Sequence, residues 1–547
     1  MRHLDRRHRT LGEAPFDLPS DSGKAWSALW RSSILNVAPS QLRKAHADQL
    51  LPATEVSRAS VVALGQALQQ RRRSRPSHPP MSTPFPSLLG SDRKSRLLIE
   101  CTYVFSQPWV HSGIQRVVRS IAAHAKHGCG FDEIVFVAIA NNQVYRIVEL
   151  LPSNSLGLGV TAKFFSWLQR ARAAASWSLS EGAHHSERRI NKTRKASLQI
   201  CLIGATICTG ILRIAGVDPF KGRAVRYTIT NDDTLLLLDS SWHDTSLFST
   251  VRCLRGRGLR VLATVYDIIP IRNSKHCAAH LVSVFDAWFG QMLTLADGFI
   301  CISRTVCSEV QEEVEARVGK QAMGAKAYGW FHLGSELDRK TGNFLMSDSM
   351  QRCFDGENGI LLVVGTIEPR KNHKVILDAF EQHWASGGES RLCIIGRVGW
   401  MCDDVVARMK SHPENGRRLF WFNNAGDDEL EFAYQSADAL IFASFVEGFG
   451  LPLVEGLQRG LPAIASDIPV FREVAGDFAE YFDPNSSSDL CAIIHDFSVT
   501  RRLPNARPVA DWKWISWKES AQQLFDAVEK CCRELDERKL RENAHQH

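Results

Sequence analysis

The sequence predicts an α/β protein built from two doubly wound parallel sheets. Three observations carry that expectation. Apolar runs of strand length alternate with amphipathic helical stretches from Arg96 to about Val318, and the same rhythm restarts near Gly359. The composition is ordinary for globular chains, 44% hydrophobic and 23% charged, and 547 residues suffice for two or three domains. The strand runs feed loops rich in Gly, Ser, Asp and Arg, the place where such sheets bind ligands.

Charge is unevenly placed. The net charge is +7, and residues 1–95 alone hold about +8, so the remainder is close to neutral. A global nucleic-acid binder is therefore not expected. Residues 1–95 read as a basic, largely disordered extension, with short amphipathic stretches at Trp26–Leu35 and Val56–Gln70. The run RRRSRPSHPPMSTPFPS, Arg71 to Ser87, is a linker that cannot bury enough apolar surface to order itself. The arm is either a solvated tail or a segment drawn to an anionic membrane surface. No apolar stretch follows the charged start, so no signal peptide is expected. Fourteen scattered cysteines without a CxxC or Cys/His cluster suggest buried thiols in a reduced, cytoplasmic setting.

In the first series, RLLIECTYVF from Arg96 is a buried strand. A helix follows with apolar residues at Ile114, Val117, Val118, Ile121 and Ala122. Gly113 sits at its mouth, where free N–H groups and the positive dipole end can face a ligand. Glu133–Ala140 is the next strand. Residues from 150 to about 228 break the rhythm as an insertion. Inside it a basic run, Glu187–Lys195, precedes seventeen uncharged residues, Ala196–Leu212. Three readings stay open for that stretch: contact with a membrane interface, a buried core helix, or a true span. Asp232-Asp233 reads as a turn before the strand DTLLLLD rather than as a metal site. Gly258–Ile271 is a strand entering a loop with Tyr266 and Asp267. A helix covers His276–Ala296, and another strand ends at Ser303. Asp267 and Ser303 both fall at carboxyl ends of strands.

In the second series, GILLVVGTIEPRKN is a strand and a loop carrying Arg370 and Lys371. RLCIIG, RLFWF and ALIFAS are further strands. The segment Phe442–Val474 then reads strand, glycine turn, helix, strand. Gly448 and Gly450 allow positive φ and close backbone approach by a ligand. Pro452 suits the first helical turn. Glu447 and Glu455 bracket the turn. A straight helix would put them about 12 Å apart, but a bend lets both line one pocket. Carboxylates read sugar hydroxyls and repel phosphate. Arg370 and Lys371 supply the complementary cations. These parts together describe a site for a nucleotide diphosphate sugar. WKWISWKESAQQLFDAV opens a last amphipathic helix. The expected domains are 1–95, 96–345, 346–511, and a terminal helix and tail at 512–547.

The motifs GTIEPRKN (Gly365–Asn372), GRVGW (Gly396–Trp400), EGFGLPLVE and ASDIPVFREVAGD resemble family 4 of the retaining glycosyltransferases, bacterial mannosyltransferases of polysaccharide biosynthesis in particular. SGIQRVVR, LLLLDSSW and YDIIPI agree in the first half. The resemblance covers about residues 96 to 530. It implies the GT-B architecture, two Rossmann-like domains facing a cleft. By that resemblance Glu447 contacts the donor sugar near the reacting carbon, and Glu455 binds ribose hydroxyls. Arg370 and Lys371 stabilise the departing diphosphate. The turn Gly448, Phe449, Gly450 and Leu451 binds the nucleotide sugar, and Gly113 approaches the diphosphate from the opposite domain. Tyr266, Asp267 and Ser303 line the acceptor side or the cleft. Many members place His where this chain has Tyr266. The implied donor is GDP-mannose or another nucleotide sugar. No metal or other cofactor is expected. The implied acceptor is a lipid-linked or growing polysaccharide, reached at the inner face of the cell membrane.

Two other function classes compete with this reading. A catalytically weak nucleotide-sugar-binding scaffold is motivated by Tyr266 and the basic arm. A dinucleotide oxidoreductase is disfavoured because no GxGxxG follows the first strand of either series.

Overall fold

A computed structural model of the chain describes residues 95–107, 113–125, 130–140, 143–150, 197, 199–204, 206–208, 223–240, 242, 245–336, 346–356 and 358–545. The extension before Ser95 and most of the insertion lie outside the described residues. The chain divides at Gly90/Ser91, and both sheets lie in the second unit.

The first sheet begins with β1 (Arg96–Glu100), which leads into α1 (Gly113–His124). β2 (Glu133–Ala140), β3 (Gln143–Ile147), β4 (Ala224–Arg226) and β5 (Asp233–Leu237) follow. Then come α2 (Thr245–Arg255), β6 (Arg260–Val265), α3 (Ala279–Leu295), β7 (Gly298–Cys301), α4 (Arg304–Gly324, broken at Gly319) and β8 (Ala327–Trp330). The spatial order is β4-β3-β2-β1-β5-β6-β7-β8. β1 pairs in parallel with both β2 and β5. The sheet is not wholly parallel, however: β3 and β4 run antiparallel along one edge. The dipeptide Asn141-Asn142 between β2 and β3 is a hairpin signal that the sequence reading passed over.

The second sheet is parallel throughout. It holds β9 (Ile360–Val364), α5 (His373–Ala385), β10 (Arg391–Ile395), β11 (Leu419–Phe422), α6 (Asp427–Ser436) and β12 (Ala439–Phe442). It continues with α7 (Leu451–Gln458), β13 (Ala463–Ser466), α8 (Pro469–Ala475), β14 (Ala479–Phe482) and α9 (Ser487–Thr500). Its order, β11-β10-β9-β12-β13-β14, is the doubly wound order with the switch point between β9 and β12.

Burial explains the elements. The strands β1, β5, β9 and β12 are covered on both faces, so they read as unbroken apolar runs. α1 buries Val117, Val118 and Ile121 almost completely, each worth about 1.5–3 kcal/mol of transfer. Asp233, the first residue of β5, is held by the Arg96 guanidinium at 2.7 Å, a structural use for that carboxylate. All described cysteines are free thiols, most of them buried.

The chain finishes on α10 (Trp517–His545), which returns to the first sheet. Cys531 and Cys532 are buried in it, Ser520 Oγ donates to the His332 carbonyl at 2.6 Å, and Arg538 donates to the Gly324 and Lys326 carbonyls. A Cβ at Gly334 would lie 2.5 Å from the Trp517 backbone.

Within the insertion, the described residues between 197 and 208 are helical. Ile200, Ile203 and Ile207 are 67%, 58% and 56% exposed, which removes the core-helix reading for that part. No helix among the described residues is long and apolar enough to cross a membrane.

Candidate active site

The site grows from the two loops at the switch point of the second sheet. After β9 the chain makes a 3-10 turn, Pro369–Lys371, and this turn presents two cations. After β12 it runs through Ser444 to Glu447 and enters the glycine turn. The Phe445 amide donates to the Arg370 carbonyl at 2.8 Å, which ties the loops together. Gly450, with φ of +106°, caps α7 in the left-handed region and supplies the sharp bend.

Glu447 lies between the cations. Arg370 Nη1 approaches its Oε2 at 2.6 Å, Lys371 Nζ holds Oε1, and Ser444 Oγ donates to Oε1 at 2.8 Å. Arg370 Nε meets Glu368 Oε1 at 2.7 Å. Burial alone would raise the Glu447 carboxyl, but Arg370, Lys371 and Ser444 outweigh it and hold the pKa at about 2. Arg370 is raised although burial opposes it, because Glu447, Glu368 and Asp267 surround it. Lys371 is the weak member: burial draws its pKa down despite Glu447. Burial raises Glu368 and Asp267. Two cations thus stand among three carboxyls, and the guanidinium fork of Arg370 and the ammonium of Lys371 are the donors that the loop after β9 offers to a phosphate group.

Glu455, on α7, has both oxygens engaged. Tyr434 Oη donates to Oε2 at 3.1 Å, and Arg116 from α1 of the opposite domain meets Oε1 at 2.6 Å. The side of α7 expected to face the cleft does face it. Gly113 opens α1 with free space where a Cβ would stand.

Four expectations need correction. Tyr266 does not present its ring to the cleft: the ring is buried in the first domain, and its hydroxyl donates to the Leu238 carbonyl at 2.8 Å. Ser303 is fully buried; it caps α4 and donates to the Gly448 carbonyl at 3.0 Å, so it ties the domains instead of lining an open acceptor side. Gly448 has no positive φ; a Cβ there would collide with the Tyr266 carbonyl, so its close approach is to protein backbone. The Phe449 ring is buried beside His332 and Trp514 and anchors the turn. Asp267 stays near the cations, with its Oδ1 accepting from the Ile269 amide.

Sequence reasoning missed four residues. Glu473, on α8, caps α4 of the other domain, accepting from the Arg304 and Thr305 amides at 2.7 and 2.8 Å and from Thr305 Oγ1 at 2.6 Å. His332 Nε2 joins it at 2.8 Å. Burial opposes the charge, yet these donors hold Glu473 at about 2. Arg116 was seen only as part of SGIQRVVR. His276 stacks on Phe445, with ring centroids 5.3 Å apart and planes at 14°, and its carbonyl accepts from Trp400 Nε1 at 3.0 Å. None had a local signal, because each partner is supplied by the other domain.

The two doubly wound sheets, with the cation-carboxylate cluster at the switch point of the second, match the two-domain arrangement expected from the sequence. Residues 349–505 match the family model described as glycosyl transferases group 1. The serotype-specific mannosyltransferase WbdA of Escherichia coli is 34% identical over 305 residues, 54% of this chain and 37% of that protein. The O-antigen chain mannosyltransferase B of Escherichia coli is 33% identical over 180 residues, 31% of this chain and 45% of that protein. The chain thus spans less than half the length of these curated relatives. Among solved structures, the sucrose-phosphate synthase of Thermosynechococcus elongatus aligns over 82% of this chain and 99% of its own, at 14% identity and a TM-score of 0.42.

Proposed function

We propose that the protein is a retaining glycosyltransferase that moves a hexose, mannose, from a nucleotide diphosphate sugar such as GDP-mannose to a lipid-linked or growing polysaccharide. The observation that carries this reading is the buried contact of Arg370 and Lys371 with Glu447 beneath the glycine turn. The names of the relatives, mannosyltransferases of O-antigen synthesis, support the sugar and the pathway class.

In this reading the diphosphate lies against Arg370 and Lys371, the sugar hydroxyls meet Glu447, and the ribose hydroxyls take Glu455 from Arg116. The acceptor oxygen attacks the anomeric carbon from the leaving group's side. The bond from that carbon to the phosphate oxygen breaks, the new glycosidic bond forms, and the acceptor proton passes to the departing diphosphate. The two cations carry the charge that develops on the leaving oxygen, an electrostatic role; no metal is invoked. The acceptor's lipid suggests peripheral membrane contact. The exposed Ile200, Ile203 and Ile207 offer an apolar stripe, and in the sequence the basic run Arg188, Arg189, Lys192, Arg194 and Lys195 precedes it.

A thermal-shift screen of nucleoside diphosphates and their sugars tests donor binding, since a ligand favouring the folded state raises the midpoint. GDP and GDP-mannose should raise it and UDP should not. The double variant Arg370→Ala, Lys371→Ala should remain folded and lose transfer. Full turnover by that variant would refute the assignment of roles.

A further inference from the structure

One titratable side chain faces the cluster and has no part in the mechanism above. His276 closes a 3-10 turn, Ser274–His276, in the first domain. Its ring lies flat on Phe445, two residues before Glu447 and hydrogen-bonded through its amide to Arg370. Its position is fixed from the second domain by Trp400, which holds its carbonyl. No side-chain hydrogen-bond partner is found for either ring nitrogen among the described residues, although the residue is only 9% exposed. A largely buried imidazole, held at its backbone and on one face with its nitrogens unclaimed, is arranged to meet something that arrives.

The charged groups that act on it are cations: Lys275 on its own turn and Arg370 from the loop after β9. The nearby carboxylates are spoken for. Glu447 and Glu368 pair with Arg370, and Asp267 accepts from the Ile269 amide. Burial and the two cations keep the ring neutral, below its usual range. A dianion between His276 and Arg370 would reverse that balance, because an opposite charge at a few ångströms favours the charged imidazolium.

Resting on the proposed function, we propose that His276 is a third side-chain ligand of the donor's diphosphate, contributed by the opposite domain, and that it takes up a proton as the diphosphate binds. The group then donates a charge-assisted hydrogen bond to a phosphate oxygen. Closure of the cleft and neutralisation of the leaving group are thereby coupled through one ring.

Calorimetric titration with GDP at pH 6.5, in buffers of different ionisation enthalpy, tests this. Wild-type protein should take up a fraction of a proton per GDP bound. His276→Phe, which keeps the stack on Phe445, and His276→Gln, which keeps a donor, should both bind GDP at least about tenfold more weakly and show markedly less uptake. Glu368 and Asp267 are the nearby carboxyls with raised proton affinity. Their share is common to all three proteins, so the difference between them is the readout. If GDP binds and the variants take up as many protons as the wild type, the inference is overturned. If the wild type binds neither GDP nor UDP, the proposed function fails first.

Discussion

Replacing Glu447 by Gln removes the carboxylate between Arg370 and Lys371 while keeping its shape. Its carboxyl is held at about 2 against an ordinary 4.5. At about 1.4 kcal/mol per tenfold change in proton affinity, that difference is worth roughly 3 kcal/mol of stability. Removing one partner of a buried pair independently suggests about 3–5 kcal/mol. The lower figure is favoured because Lys371 can shed its proton when unpaired, whereas Arg370 cannot. The sign follows from a depressed carboxyl: the contribution is full above pH 4.5 and fades as pH falls towards 2. Urea unfolding followed by tryptophan fluorescence should show Glu447→Gln less stable by about 3 kcal/mol at pH 7. The gap to wild type should narrow between pH 4.5 and pH 3. A variant within about 0.5 kcal/mol of wild type at pH 7, or a gap that does not change with pH, would refute the electrostatic account of the cluster.

Three further outcomes are expected. Glu473→Gln loses the ionised cap on α4; the carboxyl's value of about 2 assigns roughly 3 kcal/mol to that contact above pH 4.5, and X-ray scattering at pH 7 should show a larger radius of gyration than wild type. Gly448→Ala sets a methyl against the Tyr266 carbonyl; donor KM should rise at least about tenfold, while circular dichroism stays unchanged. Ile203→Glu, in the exposed apolar stripe, should reduce cosedimentation with vesicles containing anionic lipid, and unchanged cosedimentation would remove that stripe from the membrane reading.

The sheets were legible because their strands are covered on both faces. Runs such as Leu235–Leu238 and Ile360–Val364 announce themselves without any partner in view. The edge strands β3 and β4 were not, since β4 has only three residues and half-exposed edges carry little pattern. In the site, the group of Glu447, Arg370 and Lys371 could be assembled from sequence because it comes from two loops of one domain, each next to a strand. The direction of Tyr266 could not be read: adjacent residues in a loop can point to opposite sides, and only the Leu238 carbonyl fixes this one. Arg116 and Glu455 are 339 residues apart, and nothing local in either segment marks the other. Contacts between domains are where local chemistry stops informing.

The return of α10 to the first sheet means that the polypeptide crosses between the domains twice. Two tethers permit a hinge but restrain free rotation, so opening of the cleft should follow one arc. They also change what a shortened protein would be. Ending the chain near residue 505 would leave the second sheet intact and strip the first of the helix covering Gly329 and Gly334. The buried residues of α10, from Trp517 to Leu535, are in physical terms part of the foundation of the first domain.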